Sequence, residues 1–384
     1  MSRHHFRRAG LGLAAAASVA ILASACMPAD GVQQTITVAG SDTTQDVMAA
    51  LTADIGASDF NADPDTIVNV LSQQLAPITA PADDHCSSIT YATPAGSGQT
   101  LAPNGSSAGR DALKASVQAG DGCIDVARSS SGPRAIGSDL ASFRYFAFGL
   151  DAVGWTSAST RAPANLTLAQ LRGIFDCTYT NWNQVGGTAG AIQRYYPQAG
   201  SGTRAFFQSD VLGFDPTTIS TGTCPAVKLT QENSGQTIAT NGDQLTAIVG
   251  YSAANFVAQT RGTAPDQRSG QTLRQLNGQS LTVGSGASMT LNTAGPVTEA
   301  NVKLNNPTPA YPGIRYVFNV LDNTSASFDA ANRFFGFVNA TDGGKSPLCN
   351  GSKESIIASY GFGPLDTTTS ARNLAGSNCR EFQP

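Results

Sequence analysis

Short apolar runs alternate along the chain with segments whose apolar residues recur at helical spacing, and this alternation predicts an α/β protein. The expected strands are residues 35–38, 67–70, 89–91, 123–127, 143–153, 191–196, 247–251 and 313–321. The expected helices are residues 45–55, a segment that opens at 103–109 and continues through 117, and residues 166–175, 205–212 and 327–338. Strands that alternate with helices indicate mixed sheets with helices on their faces.

Three turns rich in glycine and hydroxyl residues stand at the starts of predicted helices. Their sequences are Gly40-Ser41-Asp42-Thr43-Thr44, Gly105-Ser106-Ser107-Ala108-Gly109 and Gly200-Ser201-Gly202-Thr203-Arg204. A helix start leaves about four backbone N–H groups without partners and favours negative charge. Glycine lets an oxyanion approach the backbone, while hydroxyls and the guanidinium of Arg204 add donors. We therefore interpret the three turns as one anion site, and three unrelated helix caps are the alternative.

The first 25 residues have the organisation of an export signal. Arg3, Arg7 and Arg8 precede an apolar run over residues 11–22, and small residues follow before Cys26. This ending resembles a bacterial lipobox, so Cys26 is the expected lipidation site and residues 26–34 the tether of a membrane-anchored lipoprotein. The pair Arg7 and Arg8 also resembles a twin-arginine signal, and the sequence leaves both export routes open.

Charge narrows the range of partners. The chain has 27 acidic and 23 basic residues, a formal net charge of −4, and the expected signal contains three of the basic residues and no acidic one. The exported chain is therefore more acidic than the full sequence. An acidic surface argues against nucleic acid or an anionic membrane surface as a partner, so we expect membrane attachment through the lipid alone.

The seven cysteines include Cys26, and the other six are an even number for an oxidising compartment. Six cysteines allow about 15 connectivities. Sequential pairing closes loops of modest length, and it gives the expected disulfides Cys86–Cys123, Cys177–Cys224 and Cys349–Cys379. No two cysteines have the close spacing of a zinc ligand pair, and His85 is the single histidine beyond the signal, so no metal is expected. No nucleotide fingerprint appears, so no cofactor is expected either.

Two further motifs complete a series of five along most of the mature chain. They are Asp125-Val126-Ala127-Arg128-Ser129-Ser130 and Thr180-Asn181-Trp182-Asn183. In their order, the five motifs resemble those of the phosphate-binding proteins of ABC importers, which have the two-lobed type II periplasmic-binding fold. The resemblance implies that two lobes close over phosphate. It also implies ligand contacts from Thr43, Thr44, Ser106, Ser130, Ser201, Gly202 and Thr203.

Two positions depart from the pattern of the family. Pro197 stands where many relatives have an arginine, and proline can neither donate a hydrogen bond nor carry charge. Ser130 stands where some members have an aspartate that accepts a hydrogen bond from protonated phosphate. Asp42 is the candidate for the missing acceptor, and Arg204 or Arg128 for the missing cation. Arg128 is equally well explained as a solvated or salt-bridged arginine.

The fold implied by the resemblance divides the chain into lobes. We expect residues 35–150 to form the first part of lobe 1, residues 151–312 to form lobe 2, and residues 313–384 to return to lobe 1. The crossing strands near Phe148 and Val317 are the expected two-strand hinge. The implied function is that of a monomeric, lipid-anchored binding protein outside the cytoplasm. It captures a small oxyanion, above all inorganic phosphate, for an ABC importer permease.

Two other functions are compatible with the sequence. Residues 105–109 match the Gly-x-Ser-x-Gly pattern of serine hydrolases, in which Ser107 is the nucleophile. The usual residue order in such enzymes needs a histidine after the serine, whereas His85 precedes it. A surface sensor or adhesion protein on the same fold is the second alternative, because a fold does not determine a function.

Overall fold

The computed structural model describes residues 35–54, 67–70, 78–80, 89–91, 103–219, 224–336, 346–365 and 378–384. The expected export signal, the tether with Cys26, and Cys86 lie outside these ranges. Within the described ranges, no helix has both the length and the apolar character needed to cross a bilayer.

Strands and helices alternate along the described chain. The strands are β1 (Thr35–Gly40), β2 (Ile67–Val70), β3 (Ile78–Ala80), β4 (Ile89–Tyr91), β5 (Val126–Ser129), β6 (Phe143–Ser157), β7 (Asn165–Leu166), β8 (Gln193–Pro197), β9 (Lys228–Thr230), β10 (Ala247–Ser252), β11 (Thr272–Leu273), β12 (Gln275–Leu276), β13 (Thr282–Val283), β14 (Thr290–Leu291), β15 (Ile314–Asp322) and β16 (Arg380–Phe382). The helices are α1 (Gln45–Asp54), α2 (Ser106–Ala119), α3 (Leu168–Phe175), α4 (Gly202–Phe206), α5 (Gln236–Thr240), α6 (Ala253–Arg261), α7 (Phe328–Phe335) and α8 (Glu354–Ser359).

One mixed sheet of ten strands forms the centre of the fold, with the order β2-β1-β5-β15-β6-β10-β8-β9 and with β11 and β16 also paired to β6. β1 is parallel to β2 and β5, and β8 is parallel to β9 and β10. The first part of β6 pairs antiparallel with β15 and its last part antiparallel with β10. This long strand therefore joins two sets of parallel strands, and the predicted mixed α/β fold is confirmed.

The central strands β6 and β15 are buried along their length. Every residue of β15 is buried, and in β6 only Arg144 is partly exposed. Apolar side chains explain most of this burial, as is typical of strands covered on both faces. The exceptions that matter for the site are Asp151 and Arg315, which are opposite each other in the antiparallel register. Charged residues at such positions need each other as partners, because an unpaired buried charge is strongly unfavourable.

The pairing of β6 with β15 is interrupted at one point. Val317 pairs with Gly149 and Phe318 pairs with Ala147, which leaves Phe148 without a residue opposite to it. Such a β-bulge bends a strand and increases its local twist. The bulge therefore lies at the positions near Phe148 and Val317 where the sequence predicts a hinge.

The boundaries of the predicted elements agree with the structure to different degrees. The helix predicted over residues 166–175 is α3, and Thr167 caps it by accepting a hydrogen bond from the Gln170 N–H at 3.1 Å. The strand predicted over residues 123–127 is wrong at both ends. β5 begins only at Val126, and it continues beyond residue 127 through two polar residues. Arg128 and Ser129 are buried there, and their side chains donate to the carbonyls of Val38 and Ser131.

Two disulfides connect distant parts of the described chain. They are Cys177–Cys224 and Cys349–Cys379, both of which sequential pairing predicts. Cys123 is also disulfide-bonded, and its expected partner Cys86 lies outside the described residues. The first bond ties the segment after α3 to the segment before β9, and the second ties the segment before α8 to the residue that precedes β16.

Candidate functional site

The three glycine-rich turns meet in space. The Gly105 N–H donates to the Gly40 carbonyl at 3.3 Å, and the Ser107 N–H donates to the Gly200 carbonyl at 3.0 Å. Gly105 has φ +107°, and a Cβ at this position would lie 2.4 Å from the Gly200 oxygen. Glycine is therefore required there both for the backbone conformation and for the close approach of the turns.

Three serines form one group of hydroxyls at this junction. The Ser41 Oγ donates to the Ser130 Oγ at 3.1 Å, and the Ser106 and Ser130 Oγ atoms are 3.2 Å apart. The Ser130 N–H donates to the Ser106 Oγ at 2.8 Å. A Cβ on Gly202 would lie only 2.1 Å from the Ser106 Oγ and 2.4 Å from the Ser130 Oγ. The third turn thus places its backbone directly against the hydroxyls of the other segments.

Two threonines and an arginine form a second group at Thr203, which directly follows Gly202 in the chain. The Oγ1 atoms of Thr43 and Thr203 are 3.4 Å apart, and the Arg315 Nη2 donates to the Thr203 Oγ1 at 2.9 Å. All of these side chains are buried. We use the name hydroxyl site for the set formed by Thr43, Ser106, Ser130, Gly202, Thr203 and Arg315.

The guanidinium of Arg315 is held by its cross-strand neighbour. Its Nε and Nη2 donate to the Asp151 Oδ2 at 2.9 and 2.7 Å, and the two side chains are 2% and 0% exposed. The Asp151 Oδ1 accepts from the Ser252 Oγ and the Ala254 N–H. The Arg315 Nη1 is buried and has no hydrogen-bond partner. A buried donor without a partner is costly, so this nitrogen is available to a ligand.

A carboxylate of the chain lies within the hydroxyl site. The Glu232 Oε1 accepts from the Thr43 Oγ1 at 2.6 Å, from the Thr203 Oγ1 at 2.6 Å and from the Thr203 N–H at 3.3 Å. Glu232 is 1% exposed, and its Oε2 is buried without a partner. The Glu232 N–H donates to the Gln198 Oε1 at 2.6 Å, which fixes the backbone beside the site.

Asp42 lies next to this carboxylate. Burial, together with the Glu232 and Asp46 carboxylates, raises the pKa of Asp42 to about 8, while the Arg128 guanidinium opposes this shift. A carboxyl group in this environment keeps its proton to a much higher pH than an exposed aspartate. Protonated Asp42 can both donate and accept a hydrogen bond, which extends the chemistry predicted for it from the sequence.

The structure brings only some of the predicted site residues into direct contact. Thr43, Ser106, Ser130, Gly202 and Thr203 are in the hydroxyl site. Thr44 is adjacent to it, with a buried Oγ1 that has no hydrogen-bond partner. The Ser201 Oγ accepts from the Arg204 N–H at 2.9 Å and so caps α4.

The two predicted cations have other partners. Arg128 donates to the carbonyls of Val38, Gly40 and Ser41 at the end of β1. The Arg204 Nη1 donates to the Pro197 carbonyl at 3.3 Å, and its guanidinium lies 4.7 Å from the centre of the Tyr196 ring. The Ser107 Oγ accepts from Arg110.

Three residues of the site were not identified from the sequence. Asp151 and Arg315 each interrupt an apolar run that was correctly predicted as a strand, and a charge at a buried strand position was the available signal. Glu232 lies between polar neighbours after β9, and nothing in the sequence distinguishes it from a surface glutamate.

Comparison with known proteins supports the same fold. The chain matches a family model described as a PBP superfamily domain over residues 27–340. No curated protein sequence matches it. A structure similar to this one is a putative phosphate ABC transporter substrate-binding protein with bound phosphate from Clostridium perfringens. It has 17% identity and a TM-score of 0.50, over 87% of this chain and 100% of that chain.

Two further solved structures are similar. One is a high-affinity periplasmic phosphate-binding protein bound with phosphate, with 15% identity and a TM-score of 0.50 over 87% of this chain and 91% of that chain. The other is an ABC-type phosphate transport receptor from Vibrio cholerae, with 20% identity and a TM-score of 0.49 over 85% of this chain and 99% of that chain. At such identities the likeness concerns the fold. Because the family model covers most of its length, the protein belongs to the PBP (periplasmic-binding-protein) superfamily.

Proposed function

We propose that the protein is a solute-binding protein that captures a small oxyanion, inorganic phosphate, in the hydroxyl site and delivers it to an ABC importer permease. The supporting observation is that buried hydroxyls from four separate segments converge beside one buried cation. An oxyanion with four oxygens needs donors from several directions, and such a constellation supplies them. Two of the similar proteins were solved with bound phosphate, which agrees with this proposal.

The proposed ligand contacts follow from the geometry. Thr43, Ser106, Ser130 and Thr203 supply hydroxyl donors, and Gly202 lets its backbone lie against the Ser106 and Ser130 hydroxyls because it has no side chain. Arg315 takes the role of the cation for which Arg128 and Arg204 were the candidates from the sequence. Thr44 is a further contact in this proposal, since its buried hydroxyl has no partner in the structure. Ser201 stabilises the start of α4.

The proposed mechanism is closure of two lobes around the ligand. Residues 35–150 with 313–384 form lobe 1 in this proposal, and residues 151–312 form lobe 2. The β-bulge at Phe148 supports a hinge there, because a bulge is a place where a strand bends. We further propose that the protein is exported, is anchored by a lipid on Cys26 outside the cytoplasm, and acts as a monomer.

The serine hydrolase alternative receives no support from the site. A nucleophilic serine needs an adjacent base, but the Ser107 Oγ has an arginine, Arg110, as its partner. We therefore propose a binding function without catalysis.

Calorimetric titration of the mature protein with phosphate, sulfate and a phosphate monoester tests the proposal. We expect phosphate to bind, and we expect Thr203→Val to weaken binding by about tenfold or more, because it removes a donor to a charged ligand. Ser201→Ala is the matched control in the same turn. It should lower the melting temperature through loss of a helix cap worth about 1 kcal/mol and leave the phosphate affinity within about twofold. Equal phosphate binding by the Thr203→Val variant and the parent would contradict the site assignment.

A further inference from the structure

Glu232 makes the contacts in the hydroxyl site that an anionic ligand is proposed to make. Its Oε1 accepts three hydrogen bonds, from the Thr43 hydroxyl, the Thr203 hydroxyl and the Thr203 N–H. Charge-assisted bonds of this kind are about twice as strong as neutral ones. Asp151 already neutralises Arg315, so the Glu232 carboxylate is an additional negative charge in a buried space.

The carboxylate satisfies the site only in part. With Glu232 in place, the Arg315 Nη1 and the Thr44 Oγ1 are both buried without a hydrogen-bond partner, and so is the Glu232 Oε2. A buried polar atom without a partner is unfavourable, because it has lost its hydrogen bonds to water. A carboxylate has two oxygens and a tetrahedral oxyanion has four. The oxyanion therefore has additional oxygens for the donors that the Glu232 carboxylate leaves unused.

We propose that Glu232 is a resident ligand of the hydroxyl site, which an incoming tetrahedral oxyanion displaces and which excludes small monocarboxylates. This inference rests on the proposed function, because it takes the hydroxyl site to be an anion site. A monocarboxylate offers the site the same two oxygens that Glu232 already supplies from within the chain. It would therefore gain no hydrogen bond by replacing the Glu232 carboxylate. A tetrahedral oxyanion gains the bonds to Arg315 and Thr44.

Displacement requires a movement of the side chain alone. The backbone N–H of Glu232 is held by Gln198, and the next residue, Asn233, donates to the Thr43 Oγ1 and accepts from the Ser252 N–H. These contacts keep the loop in place while the carboxylate rotates away. If the site is vacant in about one molecule in ten, competition by Glu232 raises the apparent dissociation constant about tenfold.

The test compares Glu232→Gln and Glu232→Ala with the parent by calorimetric titration with phosphate. Both variants should bind phosphate about tenfold more tightly, because the competing charge is gone. Asp266→Asn is the control for a change of one negative charge. Asp266 is exposed and pairs with Arg268 on the surface, so this variant should bind phosphate as the parent does. If the parent binds phosphate, unchanged or weaker phosphate binding by both Glu232 variants would overturn the inference.

A second measurement uses acetate and does not depend on phosphate. Removing the carboxylate in Glu232→Ala leaves a space of the shape and donor pattern of a carboxylate, so millimolar acetate should raise the melting temperature of this variant and not of the parent. If no protein binds phosphate but acetate stabilises only Glu232→Ala, phosphate is wrong as the ligand, while the occupancy of the hydroxyl site by the Glu232 carboxylate stands. If phosphate binds to the parent but acetate stabilises neither protein, the resident ligand is wrong and the proposed function stands.

Discussion

Two buried arginines on neighbouring strands of the central sheet differ in the hydrogen bonds that they donate. Arg128 on β5 donates to three backbone carbonyls, those of Val38, Gly40 and Ser41. Arg315 on β15 donates to a carboxylate and to hydroxyls, and its Nη1 has no partner. Both guanidinium groups are almost fully buried, so burial alone does not distinguish them.

The hydrogen-bond partners are the basis of the different roles that we propose for the two arginines. Carbonyl oxygens cannot leave the backbone, so the bonds of Arg128 fix the position of the turn that follows β1. The partners of Arg315 at the hydroxyl site are rotatable hydroxyls, which can turn toward a ligand without any change in the backbone. In the hydroxyl site, Arg315 keeps a buried donor that the protein itself leaves unsatisfied, and the proposed ligand contact uses this donor.

Replacing each arginine by glutamine should separate the two roles, and this is the largest effect we expect. Arg315→Gln should weaken phosphate binding by about 100-fold or more, because truncating one member of a buried charge pair costs about 2–5 kcal/mol. Arg128→Gln should lower the melting temperature, because three carbonyls lose donors, while the affinity of the folded protein changes by less than about threefold. Calorimetry and thermal unfolding measure both quantities.

The comparison would fail if the two variants lost phosphate affinity equally while both stayed folded. Arg315→Lys is an additional control, because it keeps the positive charge but loses the planar group that donates hydrogen bonds to both Asp151 and Thr203. Its affinity should fall between those of the parent and of Arg315→Gln.

Local sequence patterns predicted the frame of the fold and the turns of the site. The apolar runs of β6 and β15, the cap of α3 and the three glycine-rich turns are local signals, and each of them is present in the structure. Helix α6 was not predicted because it is buried on nearly all sides. Polar Asn255 and Gln259 are enclosed with their apolar neighbours, so no amphipathic period is visible.

The partners within the site depend on contacts that no local pattern contains. Thr43 meets Glu232 across 189 residues of sequence, and Arg315 meets Asp151 across 164. The sequence supplied Arg128 and Arg204 as candidate cations because they lie in or beside the recognised turns. It could not supply Arg315, whose position is set by the pairing of two distant strands.

The region around Arg315 depends on a close backbone approach, which Gly202→Ala should disturb. The added methyl group would lie 2.1 Å from the Ser106 Oγ and 2.4 Å from the Ser130 Oγ, so the hydroxyls must move apart. We expect phosphate affinity to fall by roughly tenfold, which corresponds to about 1.4 kcal/mol. Gly132→Ala is the matched control, because a methyl group there would meet only the Leu304 side chain at 3.6 Å. A smaller loss of affinity for Gly202→Ala than for Gly132→Ala would contradict the assignment of this contact.

The smallest effect concerns Asp42, whose pKa depends on both regions because Glu232 raises it and Arg128 lowers it. The pKa is about 8 in the folded protein, whereas an aspartate in an unfolded chain has its ordinary pKa of 3.8. Between these values the folded state keeps a proton that the unfolded chain has lost, so the free energy of unfolding falls as pH rises, by up to about 1.4 kcal/mol per pH unit.

Asp42→Asn removes this titration, so the variant should lose less stability than the parent between about pH 5 and about pH 8. Chemical unfolding at the two pH values measures the difference, with exposed Asp54→Asn as the control that should follow the parent. Within the same assay, Glu232→Gln should lessen the loss of stability, because it lowers the pKa of Asp42, whereas Arg128→Gln should raise that pKa and extend the loss to higher pH. Identical pH profiles for the parent and Asp42→Asn would show that Asp42 does not connect the two regions.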